Sequence, residues 1–156
     1  MLLGIDIGTT KTAVVLTDFD RQVHAVASRA HDAGRPGETG CAEQDVGRHV
    51  ETVRQLVREL PAVMRTRVRA IGLTGQMHGV LVFDGTGAPL TPLVTWQDQR
   101  CLSEPQFLAN LNARTGYALR SGYGCATLCW LSTAPQKRLT HQAALSSASR
   151  SALAKT

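Results

Sequence analysis

An aspartate in an apolar run, followed by a loop of small and hydroxyl-bearing residues, lies near the start of this chain. The stretch reads Gly4-Ile5-Asp6-Ile7-Gly8-Thr9-Thr10-Lys11-Thr12. Asp6 could hold a magnesium ion through bound waters, because Mg²⁺ prefers oxygen ligands and keeps part of its hydration shell. The amides and hydroxyls of Gly8, Thr9 and Thr10 could donate to the phosphate oxygens of a nucleotide, and Lys11 could add a positive charge. An ordinary tight hairpin is the alternative for this stretch taken alone.

A second polar group, Gly75-Gln76-Met77-His78-Gly79, follows a predicted strand over Arg69 to Thr74. Ligands often bind at strand ends in α/β proteins, since these ends open into a crevice. Gln76 and His78 offer donors and acceptors that suit sugar hydroxyls, and Met77 offers an adaptable apolar wall. The alternative is that His78 has a purely structural role in a loop.

A third group, Thr95-Trp96-Gln97-Asp98-Gln99-Arg100, combines an aromatic ring, an amide, a carboxylate and a guanidinium. Such a set can bind a polyol: Asp98 could accept two hydroxyl protons, Arg100 could donate to an oxygen or hold Asp98 in place, and Trp96 could shape the wall. The alternative is an Asp98–Arg100 ion pair at a surface turn, which would contribute little to stability.

The small residues of Gly122-Tyr123-Gly124-Cys125-Ala126-Thr127 permit close approach of the backbone. A helix that begins here would direct its first amides toward a ligand, or would simply enter the core through a glycine-rich loop. Cys125 has no evident activating partner, so we do not expect it to act as a nucleophile.

Alternating apolar residues and turn signals predict a three-stranded meander followed by further strands. The expected strands are Leu2 to Asp6, Lys11 to Thr17, Gln22 to Ala27, Arg69 to Thr74, Val80 to Asp84 and Leu93 to Trp96, with a loop over Ala30 to Gly40. Helices are expected from Ser103, as N-cap, to about Arg114, and over Tyr123 to Leu131, with Trp130 in the core. Strands alternating with helices indicate an α/β fold.

The clearest predicted helix begins at Asp45. Asp45 can cap its first turn, and Pro61 limits its end. The apolar residues at helical spacing, which we expect on its buried face, are Val46, Val50, Val53, Val57 and Leu60.

Length and composition favour a single soluble domain in the cytoplasm. The chain has 156 residues, four scattered cysteines without a Cys-x-x-Cys pair, and an apolar start too short for a membrane span.

Its net charge of +5 comes from the end of the chain, because all 12 acidic residues lie at or before Glu104. Aromatic residues for stacking on bases are absent after Trp130, so nucleic-acid binding is disfavoured. We divide the chain into a domain at 1–133 and a basic, Ser/Ala-rich tail at 134–156 that we expect to be loosely ordered.

The four motifs, in this order, resemble the first half of the FGGY family of carbohydrate kinases. Within the family they are most similar to members that phosphorylate sedoheptulose, and next to those that phosphorylate xylulose. The resemblance covers about residues 1–131 and includes Glu43-Gln44-Asp45.

The resemblance implies a ribonuclease-H-like N-terminal domain of the actin and hexokinase superfamily, with a mixed sheet flanked by helices. ATP phosphates and Mg²⁺ would lie near Asp6, Gly8, Thr9, Thr10 and Lys11. The ketose, phosphorylated on its terminal hydroxyl, would meet Gln76, Met77, His78 and Trp96, with Asp98 and Arg100 lining or supporting the same cleft. In-line positioning and charge neutralisation dominate such a transfer.

The chain also departs from the family pattern, because only the first of two domains is expected here, and that one is incomplete. In the family the second domain holds most of the adenosine, and an aspartate from the later sequence acts as the general base. No acidic residue follows Glu104, so no residue here matches that aspartate. We therefore expect no catalytic residue in this chain and no turnover by it alone, unless a complementary C-terminal half is supplied. A non-catalytic sugar-binding or regulatory module is the alternative of another class.

Overall fold

A computed structural model describes residues 1–133, so the predicted loose tail at 134–156 lies outside the described residues. The described chain forms two compact units: unit 1 comprises Met1–Arg35 and Asp45–Met77, and unit 2 comprises Pro36–Gln44 and the described residues from His78. In chain order the elements are β1 (Leu2–Ile7), β2 (Lys11–Thr17), β3 (Val23–Ala30), β4 (Gly34–Arg35), β5 (Glu43–Gln44), α1 (Val46–Glu59), α2 (Ala62–Arg65), β6 (Ala70–Gly75), β7 (Leu93–Val94), a 3₁₀ turn (Arg100–Ser103), α3 (Phe107–Thr115) and α4 (Gly124–Thr133).

Unit 1 is built on a four-stranded mixed sheet in the order β3-β2-β1-β6. Strands β1, β2 and β3 form the predicted antiparallel meander, and β6 pairs with β1 in parallel. The predicted mixed α/β sheet is therefore confirmed. The predicted loop over Ala30 to Gly40 is wrong at two places, because β3 extends through Ala30 and β4 lies within the loop.

Helix α1 begins and ends as predicted. The Asp45 carboxylate accepts the backbone N–H of Arg48, and the helix ends just before Leu60 and Pro61.

The buried face of α1 matches the predicted apolar residues only in part. Leu60 lies in the core and Val57 packs against it, whereas Val50 is 42% exposed. The buried residues within the helix are His49, Thr52 and Leu56, and apolar periodicity does not reveal the two that are polar. The Thr52 hydroxyl satisfies itself within the helix by donating to the Arg48 carbonyl at 2.8 Å, which permits its burial.

The core of unit 1 lies between α1 and one face of the sheet. Its buried members are Leu3, Val14, Leu16, Leu56 and Leu60. Leu3, Val14 and Leu16 share one sheet face because successive strand side chains alternate between faces and Leu3 is the register partner of Leu16. This packing supports the central strand β1, which carries Asp6.

Unit 2 contains less regular strand than the sequence predicts. Residues 80–84 form only isolated bridges, Val80 with Val94 and Phe83 with Pro89, and the last predicted strand is limited to β7, which pairs with β5. The Val82 N–H donates to the Thr91 hydroxyl at 3.1 Å rather than to a backbone carbonyl, so a side chain replaces one rung of the ladder.

The helices of unit 2 match their predicted positions except at one start. Helix α3 begins at Phe107, and Ser103 does not cap it, because Ser103 belongs to the 3₁₀ turn and its hydroxyl donates to the Arg100 carbonyl at 2.8 Å. Gly116, with φ of 73°, ends α3 in the left-handed conformation that favours glycine. Helix α4 is present as predicted, and Trp130 is buried.

The corrected face of α1 is tested by Leu56→Ala. Leu56 is fully buried, so its truncation should lower the free energy of unfolding by about 2–5 kcal/mol. Val50→Ala on the exposed side should change it by less than about 0.5 kcal/mol. Urea unfolding followed by circular dichroism would measure both, and a larger effect for Val50→Ala would restore the face predicted from the valines.

Candidate functional site

The β1–β2 loop, residues Gly8 to Thr10, is a tight hairpin connection. The Gly8 N–H donates to the Lys11 carbonyl at 3.0 Å, and the neighbouring pair Ile7 and Thr12 closes the ladder. A Cβ on residue 8 would lie 2.9 Å from the Lys11 carbonyl oxygen, so the turn requires glycine. Thr10 and Lys11 are exposed, and Thr9 is half-buried. The hairpin alternative is correct as local geometry, and it leaves polar groups at the strand end.

Asp6 lies near the end of β1 and beside the end of β6. It is the register partner of Thr74 in the parallel pair, so both strands deliver their carboxyl ends to the same edge of the sheet. The Asp6 side chain is exposed, and within residues 1–133 its carboxylate forms no hydrogen bond or ion pair. An unpaired carboxylate at such an edge can act as an oxygen ligand for a hydrated divalent cation.

Gln76 lies against the β1–β2 loop of unit 1. Its backbone N–H donates to the Ile7 carbonyl at 3.0 Å, and its side-chain Oε1 accepts the Thr9 hydroxyl at 3.3 Å. A Cβ on Gly75 would lie 3.1 Å from the Ile7 carbonyl oxygen, which explains the glycine before it. The structure thus brings together the predicted phosphate-binding loop and one residue that the sequence grouped with sugar binding.

Asp98 and Arg100 form a buried ion pair in unit 2. Asp98 is 1% exposed, and its Oδ1 accepts the Arg100 Nε–H at 2.8 Å while its Oδ2 accepts the Ala42 N–H at 2.8 Å. Arg100 also donates from Nη2 to Glu43 Oε1 at 2.6 Å, and its guanidinium lies 5.7 Å from the centroid of the Trp130 ring. The alternative of a surface ion pair is therefore wrong, because the pair is inside the unit.

The electrostatics of this cluster keep Arg100 charged. Burial by itself disfavours the cation, but the hydrogen bonds that Arg100 donates to the Asp98 and Glu43 carboxylates outweigh this effect and raise the pKa of Arg100. With both Asp98 carboxylate oxygens and the Arg100 Nε and Nη2 atoms engaged within the unit, these two residues are placed to support their neighbours. The sequence did not single out Glu43 as their partner, because nothing local links positions 57 residues apart.

His78 and Trp96 are held by the glycines before and at the start of α4. His78 has a φ of 59°, and its ring stacks on Tyr123 with centroids 4.7 Å apart and an interplanar angle of 9°. A Cβ on Gly124 would lie 3.2 Å from the His78 carbonyl oxygen, and one on Gly122 would lie 1.9 Å from the Trp96 carbonyl oxygen. The close approach expected of these glycines is present, and it fixes the backbone of two predicted sugar-binding residues.

Met77 and Trp96 present large exposed surfaces. Met77, the last residue of unit 1, is 76% exposed, and Trp96 in unit 2 is 48% exposed. Together with Asp6, Thr10, Lys11 and His78, they are the predicted site residues that are exposed, whereas Thr9, Gln76 and Arg100 are half-buried and Asp98 is buried.

Residues 1–133 contain four free cysteines and no preformed cluster of metal ligands. All four cysteines are free, and burial raises the pKa of the Cys41 and Cys101 thiols, which disfavours the reactive thiolate. Within residues 1–133, no three His, Cys, Asp or Glu side chains cluster to bind a metal ion. The helices described there are too short or too polar to cross a membrane.

Comparison with known proteins relates the whole described chain to sugar and polyol kinases. Residues 1–153 match the model for the FGGY family of carbohydrate kinases, N-terminal domain. Sedoheptulokinase of Mus musculus is 35% identical over 154 residues, which cover 83% of this chain and 32% of that protein. Glycerol kinase of Thermus brockianus is 34% identical over 142 residues, which cover 83% and 28%.

A solved structure agrees with this relationship. The crystal structure of xylulose kinase from Rhodospirillum rubrum superimposes with a TM-score of 0.70 at 27% identity, covering 88% of this chain and 30% of that chain. The ribonuclease-H-like fold expected from the sequence is thereby confirmed. The chain spans about a third of the length of these relatives.

Asp98→Asn tests whether the buried ion pair organises unit 2. The amide would remove a charge and present donors to Arg100 and Ala42, so the free energy of unfolding should fall by about 3–5 kcal/mol. Asp32→Asn is the matched control, because Asp32 makes an exposed ion pair with Arg48 and its loss should change stability little. Urea unfolding of both variants would be followed by circular dichroism, and tryptophan fluorescence would report on unit 2 for Asp98→Asn because both tryptophans lie there. Equal, small effects for both variants would contradict a buried organising pair.

Proposed function

Because this chain belongs to the FGGY family of carbohydrate kinases, we propose that it forms the N-terminal domain of an ATP-dependent ketose kinase in the cytoplasm. The observation that carries this proposal is the unpaired Asp6 carboxylate beside the β1–β2 loop. This arrangement supplies an oxygen ligand and phosphate donors at one edge of the sheet.

Binding of the ATP phosphates and Mg²⁺ is assigned to unit 1. Asp6 would hold Mg²⁺ through water, and an exposed, unpaired carboxylate fits a hydrated hard cation. The loop amides and hydroxyls of Gly8, Thr9 and Thr10 would donate to phosphate oxygens, and Lys11 would add positive charge. When bound, the ion supplies neutralisation of the charge that develops on the transferred phosphoryl group.

Sugar binding is assigned to the residues of the two polar motifs, 75–79 and 95–100. Met77 and Trp96 offer exposed apolar surface, Gln76 and His78 offer polar groups, and Asp98 and Arg100 hold the segment that carries Trp96. The proposed substrate is sedoheptulose, converted to sedoheptulose 7-phosphate, with xylulose as the alternative. The 35% identity to a sedoheptulokinase supports the former, although a glycerol kinase is 34% identical.

The chain alone is expected to bind without turnover. General-base assistance contributes about a hundred- to ten-thousandfold, and orienting two substrates contributes about 7–11 kcal/mol. The chain covers 32% of the mouse relative, and no carboxylate in it follows Glu104 to serve as the later general base. A complementary C-terminal half is therefore the proposed partner.

The nucleotide proposal is tested by Asp6→Asn. Calorimetric titration of the 156-residue chain with Mg·ATP should show saturable binding, and the variant should weaken it by about tenfold, which corresponds to about 1.4 kcal/mol. Asp20→Asn, in the exposed turn before β3, should leave the affinity unchanged. A coupled assay should detect no turnover with sedoheptulose. Absence of Mg·ATP binding, or sustained turnover by this chain, would contradict the proposal.

The sugar proposal is tested by Met77→Ala and His78→Ala. Titration with sedoheptulose should give a higher affinity than xylulose or glycerol, and each variant should weaken it several-fold because contact surface or a polar partner is lost. Met77 is exposed, so Met77→Ala should fold normally. It therefore tests the assignment even if His78→Ala is destabilised by loss of the His78–Tyr123 stack. His24→Ala, at an exposed position on β3, is the control. Unchanged ketose affinity in both site variants would refute this assignment.

A further inference from the structure

His31, which the sequence analysis did not single out, contacts the β1–β2 loop at two points. Its backbone N–H donates to the Thr10 carbonyl at 3.2 Å, and its ring Nε2 lies 3.2 Å from the Gly8 carbonyl oxygen. Ala30, the residue before it, is the register partner of Lys11, so His31 extends the β2–β3 ladder onto the loop. One residue thus engages two of the three loop carbonyls.

The second ring nitrogen defines which tautomer makes this contact. The Ala33 N–H donates to His31 Nδ1 at 3.4 Å, so Nδ1 acts as the acceptor. In a neutral imidazole the other nitrogen then carries the proton, and Nε2–H donates to the Gly8 carbonyl. Each ring nitrogen therefore has one defined role.

Helix α1 restrains the ring from another side. The rings of His31 and His49 meet edge to face, with centroids 4.4 Å apart and an interplanar angle of 69°. His49 is buried, and burial, followed by the nearby His31, lowers its pKa, which favours the neutral ring. The Asp45 N–H donates to the Ala33 carbonyl at 2.7 Å, so the start of the helix is joined to the segment that fixes His31.

We infer that His31 is a positioning residue that holds the β1–β2 loop ready for the phosphates of a nucleotide, an inference that rests on the proposed function. A carbonyl oxygen turned toward phosphate would repel it, and a loop that must be ordered on binding loses affinity. By donating to the Gly8 and Thr10 carbonyls, His31 fixes two peptide planes of the loop before the ligand arrives. Its contribution is to nucleotide affinity and not to ketose affinity.

Three variants separate the effect of the His31 Nε2–H donor on nucleotide affinity from the effect of the aromatic ring. His31→Phe keeps an aromatic ring against His49 but removes the donor, and should weaken Mg·ATP binding about five- to tenfold, the effect of about one hydrogen bond. His31→Gln keeps an N–H near the Nε2 position and should return the affinity to within about twofold of the original chain. His24→Phe, on β3 and paired with Asp18 rather than with the β1–β2 loop, should have no effect. Sedoheptulose affinity should be equal in all of them.

Two measurements keep this inference distinct from the proposed function. If the original chain does not bind Mg·ATP, the proposed function fails, while amide hydrogen exchange of the loop still reports whether His31→Phe loosens it. The ¹⁵N spectrum of the unaltered chain should show His31 protonated at Nε2 and not at Nδ1, which requires no variant to fold. The opposite tautomer, unchanged Mg·ATP affinity and exchange in His31→Phe, or equal weakening by Phe and Gln would overturn the inference.

Discussion

The pairing of β1 on both of its edges is the constraint on which the proposed nucleotide site depends. Strand β2 pairs with it antiparallel through the tight hairpin, and β6 pairs with it in parallel. The hairpin therefore puts the loop at the same edge where β1 and β6 both end, and Asp6 and Gln76 come with those strands. Packing of α1 on Leu3, Val14 and Leu16 fixes the sheet face beneath them. The site is thus a consequence of strand direction, with each polar residue placed by backbone pairing.

Unit 2 places its charges and its exposed groups in different layers. Asp98, Arg100 and Glu43 satisfy one another inside the unit, where a charge without partners would cost several kcal/mol. Trp96 is exposed, and the His78 ring stacks on Tyr123. Gly122 lets the chain before α4 approach the Trp96 backbone, and Gly124 lets the start of α4 approach the His78 backbone. Asp98 and Arg100, which the sequence grouped with sugar binding, are therefore better suited to hold the segment that carries Trp96 than to contact a sugar directly.

Local signals in the sequence predicted most of the helices and strands. They failed where a side chain bonds to the backbone in place of the expected partner, or where two residues far apart in the sequence make contact. The meander, the Asp45 cap and α4 follow from turn residues and alternation near each element. The buried face of α1 was predicted only in part, because Leu60 and Val57 meet the core but the buried His49 and Thr52 are polar. Ser103 does not cap α3, because its hydroxyl donates to the Arg100 carbonyl, and the Thr91 hydroxyl takes the place of a backbone carbonyl for the N–H of Val82 in the strand predicted at 80–84. Glu43 with Arg100, and His31 with Gly8, are contacts between distant positions. No periodicity or spacing in a single sequence encodes such pairs.

The near-equal identity to a sedoheptulokinase and a glycerol kinase has a physical explanation under the proposed function. Phosphoryl transfer makes the same demands whatever hydroxyl attacks, namely a positioned phosphate and neutralised charge. The hairpin, Asp6 and the buried frame of unit 2 serve those shared demands or the fold itself, so they carry no information about the acceptor. Under the proposed function, selectivity for one sugar or polyol over another must then depend on exposed side chains, because these can be substituted without disrupting the fold. Met77 and Trp96 meet that condition, whereas Asp98 and Arg100, which pair with each other and with Glu43 inside unit 2, do not.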